Sequence, residues 1–208
     1  MPCSLFADRS AAGQLLAIEL ESLADRRPIV FGLPRCCIPV AYEVAQRLGA
    51  PLDVALVRTV RAADRHGELL ATVMEGDPPT IRIEPHKPVD RELIADAVDE
   101  LERRLQLYRN GSRPMSPAGR TAIVIDQAIT SGHAAAGAIE LLRQAGARSV
   151  VVAAPLVSEP GLARLSPLAE RVVALHRMPE VGPLDRHYVD WRQITHGEAL
   201  ACLEKARE

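Results

Sequence analysis

The residue types best suited to holding an anion lie in a short polar loop between an apolar segment and an alanine-rich one. The apolar segment ends at Asp126, and Thr130, Ser131 and Gly132 follow just before the alanine-rich segment. Hydroxyls and backbone N–H groups at the start of a helix bind phosphate, and glycine lets the backbone approach an anion closely. Asp126, one loop away, is placed to accept hydrogen bonds from sugar hydroxyls. The spacing therefore predicts a site for a phosphorylated sugar.

The same loop has a second interpretation that involves no ligand. Asp, Thr and Ser commonly cap the first turn of a helix, because their side-chain oxygens accept hydrogen bonds from its unpaired N–H groups. Turns from strand to helix in α/β proteins often carry these residues. The pattern of residues alone leaves both interpretations open.

The segments around the loop alternate between strand-like and helix-like patterns. Continuous apolar runs predict buried strands at 29–33, 53–57, 121–125, 149–154 and 171–175, the fourth ending at Pro155. Apolar residues at helical spacing predict helices at 8–23, 38–48, 90–108 and 132–145. Such strand–helix–strand units build parallel sheets, and ligands bind beyond the carboxyl ends of the strands. The chain is therefore predicted to have an α/β fold, with a parallel β-sheet flanked by helices.

The composition excludes several classes of partner. Lys and Arg number 25 against 27 Asp and Glu, a formal net charge of −2, whereas proteins that bind nucleic acid carry a clear basic excess. Aromatic residues make up 3% of the chain, too few for a platform that stacks bases. No apolar run approaches the length of a membrane span. We therefore expect a small-molecule substrate, no nucleic acid and no membrane.

The four cysteines are not spaced as a disulfide framework or a metal site. Cys36 and Cys37 are neighbours, while Cys3 and Cys202 lie near opposite ends. The adjacent pair is interpreted either as a reactive thiol beside an anion or as a small buried hydrophobe, and the second interpretation is favoured. The chain also begins without the pattern of a secretion signal. These features predict a protein of the reducing cytoplasm.

The segment from Ile125 to Ala134 resembles the signature of the type I phosphoribosyltransferases, in which two acids and two variable residues precede Thr-Thr-Gly-x-Thr. Four further segments resemble one bacterial subgroup of phosphoribosyltransferase-like proteins, in the same order along the chain. They are Phe-Ala-Asp-Arg at 6–9, Gly-Leu-Pro-Arg-Cys-Cys at 32–37, Leu-Tyr-Arg at 107–109, and a closing segment with Val-Gly at 181–182 and Tyr-Val-Asp-Trp at 188–191.

This resemblance implies one domain over 1–208, with a small hood lobe from about 1–25 and 178–208. It implies transfer of ribose 5-phosphate from phosphoribosyl pyrophosphate to a nitrogenous, nucleobase-like acceptor, with release of pyrophosphate. The expected cofactor is Mg²⁺, bound through the substrate's own oxygens and water and without direct protein ligands. By analogy with the family, a homodimer is expected as well.

The resemblance also implies which residues form the site. The 5-phosphate loop is 130–134, the pyrophosphate loop is 33–37, and a mobile catalytic loop lies at about 58–72. Asp126 binds the ribose hydroxyls, and Asp126 and Arg35 are the expected catalytic residues. The full set of expected substrate-binding residues is Pro34, Arg35, Cys36, Cys37, Arg58, Asp126, Gln127, Thr130, Ser131, Gly132, His133 and Ala134.

The chain departs from the family pattern at several of these positions. Gln127 replaces the second acid, and Ala134 removes a hydroxyl from the phosphate loop. Cys36 and Cys37 replace two glycines, which predicts restricted backbone approach to the pyrophosphate. The subgroup shows Lys near position 59, where this chain offers only Arg58, Arg61 and Arg65. A second hypothesis follows, that of a catalytically weak or inactive member that binds a phosphoribosyl ligand or nucleotide as a regulator or partner.

Four other assignments are less specific. A different phosphate-handling enzyme, such as a phosphatase or a nucleoside phosphorylase, is disfavoured because neither Cys36 nor Cys37 is followed by an Arg at the spacing of a Cys-x₅-Arg loop. Tyr188 and Trp191 are expected either to contact an acceptor ring or to pack a terminal lobe onto the sheet. His133 is expected either to donate to a phosphate or to be a loop residue without a ligand. The charged helix at 90–109 is interpreted as a solvated face.

Overall fold

The computed structural model describes residues 4–34, 36–62, 67–109 and 111–207. The strands are β1 (Ile29–Gly32), β2 (Leu52–Val54), β3 (Val57–Arg61), β4 (Leu69–Met74), β5 (Thr80–Ile83), β6 (Thr121–Ile125), β7 (Ser149–Ser158) and β8 (Arg171–Met178). The helices are α1 (Arg9–Leu20), α2 (Ile38–Leu48), α3 (Arg91–Arg109), α4 (His133–Gln144), α5 (Glu159–Leu165) and α6 (His196–Lys205), with short 3₁₀ helices at Glu21–Arg26 and Leu184–His187.

Five strands form a parallel sheet in the order β2-β1-β6-β7-β8, which confirms the predicted fold class. Successive residues of a strand face opposite sides of the sheet. Accordingly, Ile123 and Ile125 of β6 pack into the cluster that includes α1 and α2, whereas Ala122 and Val124 pack into the cluster that includes α4. Helices thus cover both faces, and the ligand-binding edge lies at the carboxyl ends of the strands.

The strand predicted at 53–57 is divided between two sheets, so that prediction was wrong in its detail. β2 belongs to the parallel sheet, whereas β3 begins a second, antiparallel sheet in the order β3-β4-β5. The Ala55 N–H donates to the Gly32 carbonyl at 3.1 Å, and the Leu56 carbonyl accepts from the Glu75 N–H at 3.0 Å. The apolar run continues because both residues remain buried while the chain crosses from one sheet to the other.

The predicted end of a strand at Pro155 was also wrong, because β7 continues to Ser158. β6 pairs with β7 only as far as Ala153, so Pro155 lies beyond that ladder. A proline lacks an N–H group and is tolerated where a strand has lost its neighbour on one side. β7 therefore extends past β6 and continues to pair with β8 up to Met178.

A buried ionic network ties α3 to both sheets. Arg109, at the end of α3, donates to Glu75 Oε1 at 2.9 Å, to the Val54 carbonyl at 2.8 Å, and to the carboxylate of Asp53. Asp53 also accepts from the Met115 N–H at 2.7 Å. Burial raises the pKa of Glu75 above its usual value, and the neighbouring Arg109 opposes that shift. The network therefore holds two acids and one guanidinium in a nearly dry environment.

The two ends of the chain lie together. Phe6 pairs with Tyr188 in a short parallel bridge, and the ring centroids of these residues are 5.2 Å apart. Phe6, Val181 and Tyr188 join Leu156 of β7 in a small buried cluster. The division into a core and a hood formed by both ends stays a prediction. Within the described ranges, no helix has the length and apolar character that crossing a membrane requires.

Candidate functional site

A cleft of about 370 Å³ opens where β1 and β6 end. We refer to it as the main cleft. Its walls combine two loops of the parallel sheet with residues of α3 and α6. The residues that line it are Leu33, Pro34, Cys36, Cys37, Val57, Glu100, Arg104, Tyr108, Asp126, Gln127, Ala134 and His196.

The predicted phosphate loop leads from β6 into α4. Gly132 precedes the helix with φ of +73°, a left-handed conformation that glycine adopts readily. No side chain of the described residues caps this helix, and the Gly132 carbonyl takes a hydrogen bond from Ala136 at 2.9 Å. The interpretation that Asp126, Thr130 and Ser131 only cap α4 is therefore wrong. The first N–H groups of a helix lack intrahelical partners, so this loop can offer them to an anion.

The end of β7 and the start of α5 pack against the predicted phosphate loop. The Ile129 N–H donates to the Leu156 carbonyl at 2.8 Å, and the Ile129 carbonyl accepts from the Ser158 N–H at 2.9 Å. A side chain at Gly161 would approach Ile129 Cγ2 to 2.7 Å and the Thr130 carbonyl to 2.8 Å. α5 can therefore pack against the loop only because Gly161 has no Cβ. Thr130 itself remains exposed.

Two arginines bind the phosphate loop. Arg61, at the end of β3, donates to Ser131 Oγ at 2.8 Å, and Arg164 of α5 donates to the Ser131 carbonyl at 2.8 Å. His133 Nδ1 lies 2.9 Å from the same Ser131 hydroxyl. Partial burial, with the charges of Arg164, Arg61 and Arg82, lowers the pKa of His133 to about 4. His133 is therefore neutral at physiological pH, and the positive charge beside the loop comes from arginine.

Asp126 lies on the floor of the main cleft and is bonded to the loop that follows β1. The Cys37 thiol donates to Asp126 Oδ1 at 3.2 Å, and the Ala128 N–H lies 3.4 Å from the same oxygen. Burial raises the pKa of Asp126 above its usual value, although both contacts favour the carboxylate. Burial also raises the pKa of Cys37, so this thiol stays protonated and acts as a donor. The reactive-thiol interpretation therefore finds no support at Cys37.

The raised pKa of Asp126 predicts a pH dependence of donor binding. If Asp126 accepts hydrogen bonds from two ribose hydroxyls, as the motif predicts, its ionised form binds them more strongly than its protonated form, so affinity is full above the pKa of Asp126 and falls as pH drops through it. Because that pKa is raised, the loss should begin at a higher pH than for an exposed aspartate. We expect the dissociation constant of phosphoribosyl pyrophosphate, measured by calorimetry from pH 8 to pH 5, to rise by up to about 10-fold per pH unit below the pKa. An Asp126→Asn variant with the same pH profile would contradict this assignment.

The two cysteines that replace glycines do not need a left-handed backbone conformation. Cys37 has φ of −84° at the start of α2, and Cys36 is not among the described non-glycine residues with positive φ. Their side chains therefore fit an ordinary backbone conformation. Pro34, Cys36 and Cys37 all line the main cleft, as expected for the predicted pyrophosphate loop. Arg35 lies outside the described residues, as do residues 63–66 of the predicted catalytic loop.

Gln127 faces a nearly buried arginine. Arg9, which is 5% exposed, donates to Gln127 Oε1 at 3.2 Å and to the Arg192 carbonyl at 2.8 Å. Its guanidinium lies 3.8 Å from the centre of the Trp191 ring. Tyr188 is buried in the terminal cluster, which supports its packing interpretation. Because Arg9 engages the amide oxygen, the amide NH₂ is the group that Gln127 can present elsewhere.

Comparison with known proteins places these features in a family. A model of the phosphoribosyl transferase domain matches residues 8–160. The chain belongs to the phosphoribosyl transferase domain family. A protein of Mycobacterium tuberculosis (strain ATCC 25618 / H37Rv), named "Putative phosphoribosyl transferase Rv0571c", is 32% identical over 208 residues, which cover 97% of this chain and 47% of that protein. This chain thus spans about half the length of the curated relatives it matches.

Solved structures agree with the assignment. The crystal structure of TT1426 from Thermus thermophilus is 34% identical, has a TM-score of 0.82, and aligns over 96% of this chain and 98% of its own. The AQ2163 protein of Aquifex aeolicus is 12% identical with a TM-score of 0.51, over 87% of this chain and 85% of its own, which is a similarity of fold alone. The resemblance inferred from the sequence motifs is therefore confirmed at the level of family and fold.

In this phosphoribosyl transferase domain, α3 contributes to the main cleft, which the sequence interpretation of a solvated face missed. Glu100, Arg104 and Tyr108 line the cleft, and His196 of α6 joins them. The missed signal was their spacing of four residues, which places them on one side of a helix. Arg58, an expected binding residue, is exposed on β3 and does not line the cleft.

Proposed function

We propose that this chain transfers ribose 5-phosphate from phosphoribosyl pyrophosphate to a nitrogenous, nucleobase-like acceptor. The observation that carries the proposal is the approach of the two predicted loops. The hydrogen bond from Cys37 to Asp126 joins the loop after β1 to the loop after β6 across one cleft. Ala134, at the start of α4, lines the same cleft, whereas residues 130–133 do not. The closeness of Asp126 to the loop after β1 supports binding of a donor that carries a charged group at each end.

Each part then has a distinct task. The helix start at Gly132 holds the 5-phosphate, with positive charge supplied by Arg61 and Arg164. Asp126 accepts hydrogen bonds from the ribose hydroxyls. The loop 33–37 receives the pyrophosphate. In the reaction the bond from the anomeric carbon to the pyrophosphate oxygen breaks with its electron pair, a bond from that carbon to the acceptor nitrogen forms, and the nitrogen's proton leaves to solvent. The protein favours the step by holding the departing charge.

The position of Asp126 in the cleft is compatible with a magnesium ion that enters bound to the donor. Among the described residues, no group of three or more His, Cys, Asp or Glu side chains is placed to hold a metal. Mg²⁺ retains much of its water and needs only one or two protein carboxylates beside substrate phosphates. Asp126 is the acid on the cleft floor that would contact its hydration shell. When bound, the ion supplies neutralising charge to the pyrophosphate oxygens.

A second candidate function is binding of a phosphoribosyl ligand without transfer. The favouring observation is the contact between Arg9 and Gln127, since a neutral amide replaces the second acid of the family motif. Such a site retains its hydrogen bonds to the ligand but has less negative charge beside a developing cation. The expected homodimer stays a prediction under either function.

The two candidate functions, transfer and binding without transfer, are distinguished by an assay of pyrophosphate release from phosphoribosyl pyrophosphate, run with a panel of nucleobase-like acceptors. The parent protein is compared with Gln127→Asp alone and with Gln127→Asp combined with Cys36→Gly and Cys37→Gly. Acceptor-dependent release by the parent supports the transferase. Release only by the restored variants supports the binding function. Absence of release from all three, each shown to be folded, would contradict the transferase proposal.

A further inference from the structure

Glu100, on the wall that α3 contributes to the main cleft, is surrounded by arginine side chains. Glu100 pairs with Arg104 Nε at 2.8 Å and with Arg103 Nη2 at 2.7 Å. Arg58 of β3 adds a third favourable charge at Glu100. The hydrogen bond from Arg104 is the largest of the effects that lower the pKa of Glu100, so this acid stays ionised at neutral pH. One carboxylate thus lies among three guanidinium groups, of which Arg104 is the one that lines the main cleft.

The two arginines paired with Glu100 differ in their surroundings. The Arg103 side chain is 73% exposed, whereas the Arg104 side chain is 26% exposed and lines the main cleft. Arg104 uses Nε for Glu100, and its two terminal amino groups have no hydrogen-bond partner among the described residues. A guanidinium fixed through Nε presents those two groups as a fork that fits phosphate oxygens.

A second pair of side chains, Tyr108 and His196, fixes the part of this wall nearest the end of α3. The Tyr108 hydroxyl lies 3.0 Å from His196 Nδ1, and their rings meet edge to face with centroids 5.8 Å apart. Tyr108 is one helical turn beyond Arg104 and is buried. Arg109 next to it is anchored in the ionic network below. The carboxyl-terminal half of α3 is thereby held in place beside the cleft, and Arg104 is held with it.

We propose that Arg104 binds the pyrophosphate group of the donor, together with the loop that follows β1. This inference rests on the proposed function and names the residue that supplies charge at one of its subsites. Of the described residues that line the main cleft, Arg104 is the only Lys or Arg, and the described loop residues Pro34, Cys36 and Cys37 bring no charge. Among the residues that the structure describes, the positive charge available to such a group in this cleft is therefore that of Arg104.

The assignment is tested with three ligands and a matched pair of variants. Binding of phosphoribosyl pyrophosphate, ribose 5-phosphate and inorganic pyrophosphate is measured by calorimetry with Mg²⁺ present. Arg104→Gln removes the cleft cation, and Arg103→Gln removes the other partner of the same Glu100. We expect Arg104→Gln to weaken binding of the two pyrophosphate ligands by roughly 10- to 100-fold, with ribose 5-phosphate unchanged. Arg103→Gln should leave all three affinities as in the parent, and Arg104→Lys should recover part of the loss.

The outcomes separate this inference from the proposed function. If the parent binds phosphoribosyl pyrophosphate and Arg104→Gln binds it equally well, the inference is overturned and the donor site stands. If Arg104→Gln loses ribose 5-phosphate to the same extent, the effect is not specific to pyrophosphate and the inference is again overturned. The parent could instead bind inorganic pyrophosphate through Arg104 but neither phosphoribosyl pyrophosphate nor ribose 5-phosphate. That result would support the pyrophosphate site and contradict the proposed donor. Failure of the folded parent to bind any of the three contradicts both.

Discussion

Asp126→Asn is expected to weaken binding of phosphoribosyl pyrophosphate by about 100-fold, because two charge-assisted hydrogen bonds to the ribose hydroxyls are lost. The amide keeps the shape of the side chain, and its NH₂ group cannot accept from a hydroxyl. Burial already disfavours the ionised carboxylate, as its raised pKa shows. The variant should therefore unfold at the same urea concentration as the parent or at a slightly higher one.

The control for Asp126→Asn is Asp25→Asn, which alters an exposed acid in the 3₁₀ helix after α1. Both variants change the net charge equally, so a general electrostatic effect on an anionic ligand would appear in both. Calorimetric titration of each folded protein gives the comparison. Donor affinity that is unchanged in Asp126→Asn, or lowered equally in the two variants, would contradict the role assigned to Asp126.

Arg109→Leu is expected to have the largest effect on stability. Removing one partner of a buried ion pair leaves an uncompensated charge, which costs about 3–5 kcal/mol. Here Asp53 and Glu75 would both be left without the guanidinium, and the Val54 carbonyl would lose its donor. The free energy of unfolding is measured by urea titration, with Arg103→Leu as the control on the exposed side of the same helix.

The loss caused by Arg109→Leu should depend on pH in a defined direction. Without the guanidinium, burial raises the pKa of Glu75 further, because Arg109 is the neighbour that lowers it. The folded variant then binds a proton that the unfolded chain binds only at lower pH. Its stability should therefore fall as pH rises from 5 to 8, relative to the parent. A loss below about 1 kcal/mol at pH 8, or one that is equal at both pH values, would contradict the account of this network.

The parallel sheet could be predicted from the sequence because its strands are buried on both faces. The run Thr121–Ile125 is buried along its whole length, so its apolar character was continuous and its limits were read correctly. The same holds for α2, which was predicted at 38–48 and is observed at Ile38–Leu48, with Gly49 following in a left-handed conformation. Local patterns sufficed where burial was uniform. They failed at 55–56 because burial does not distinguish a strand from a buried crossing between sheets.

Some residues of the candidate site could likewise be predicted from the sequence, and others could not. Asp126 and the residues up to Gly132 are contiguous, so the family motif in the sequence was enough to mark them. The spacing of Glu100, Arg104 and Tyr108 places them on one side of α3, but whether that side faces a cleft depends on how α3 packs against β3 and β4. Arg9 is likewise distant in sequence from Gln127, yet the fold brings the two side chains to 3.2 Å. Contacts of this kind arise from tertiary packing and not from local spacing.

The most direct test of the central claim is calorimetric titration of phosphoribosyl pyrophosphate into the folded parent protein, with and without Mg²⁺. We expect saturable binding at one site, tighter when Mg²⁺ is present and weakened in Asp126→Asn. Absence of binding by a protein whose cooperative unfolding shows it to be folded would contradict the claim that the main cleft is a phosphoribosyl donor site.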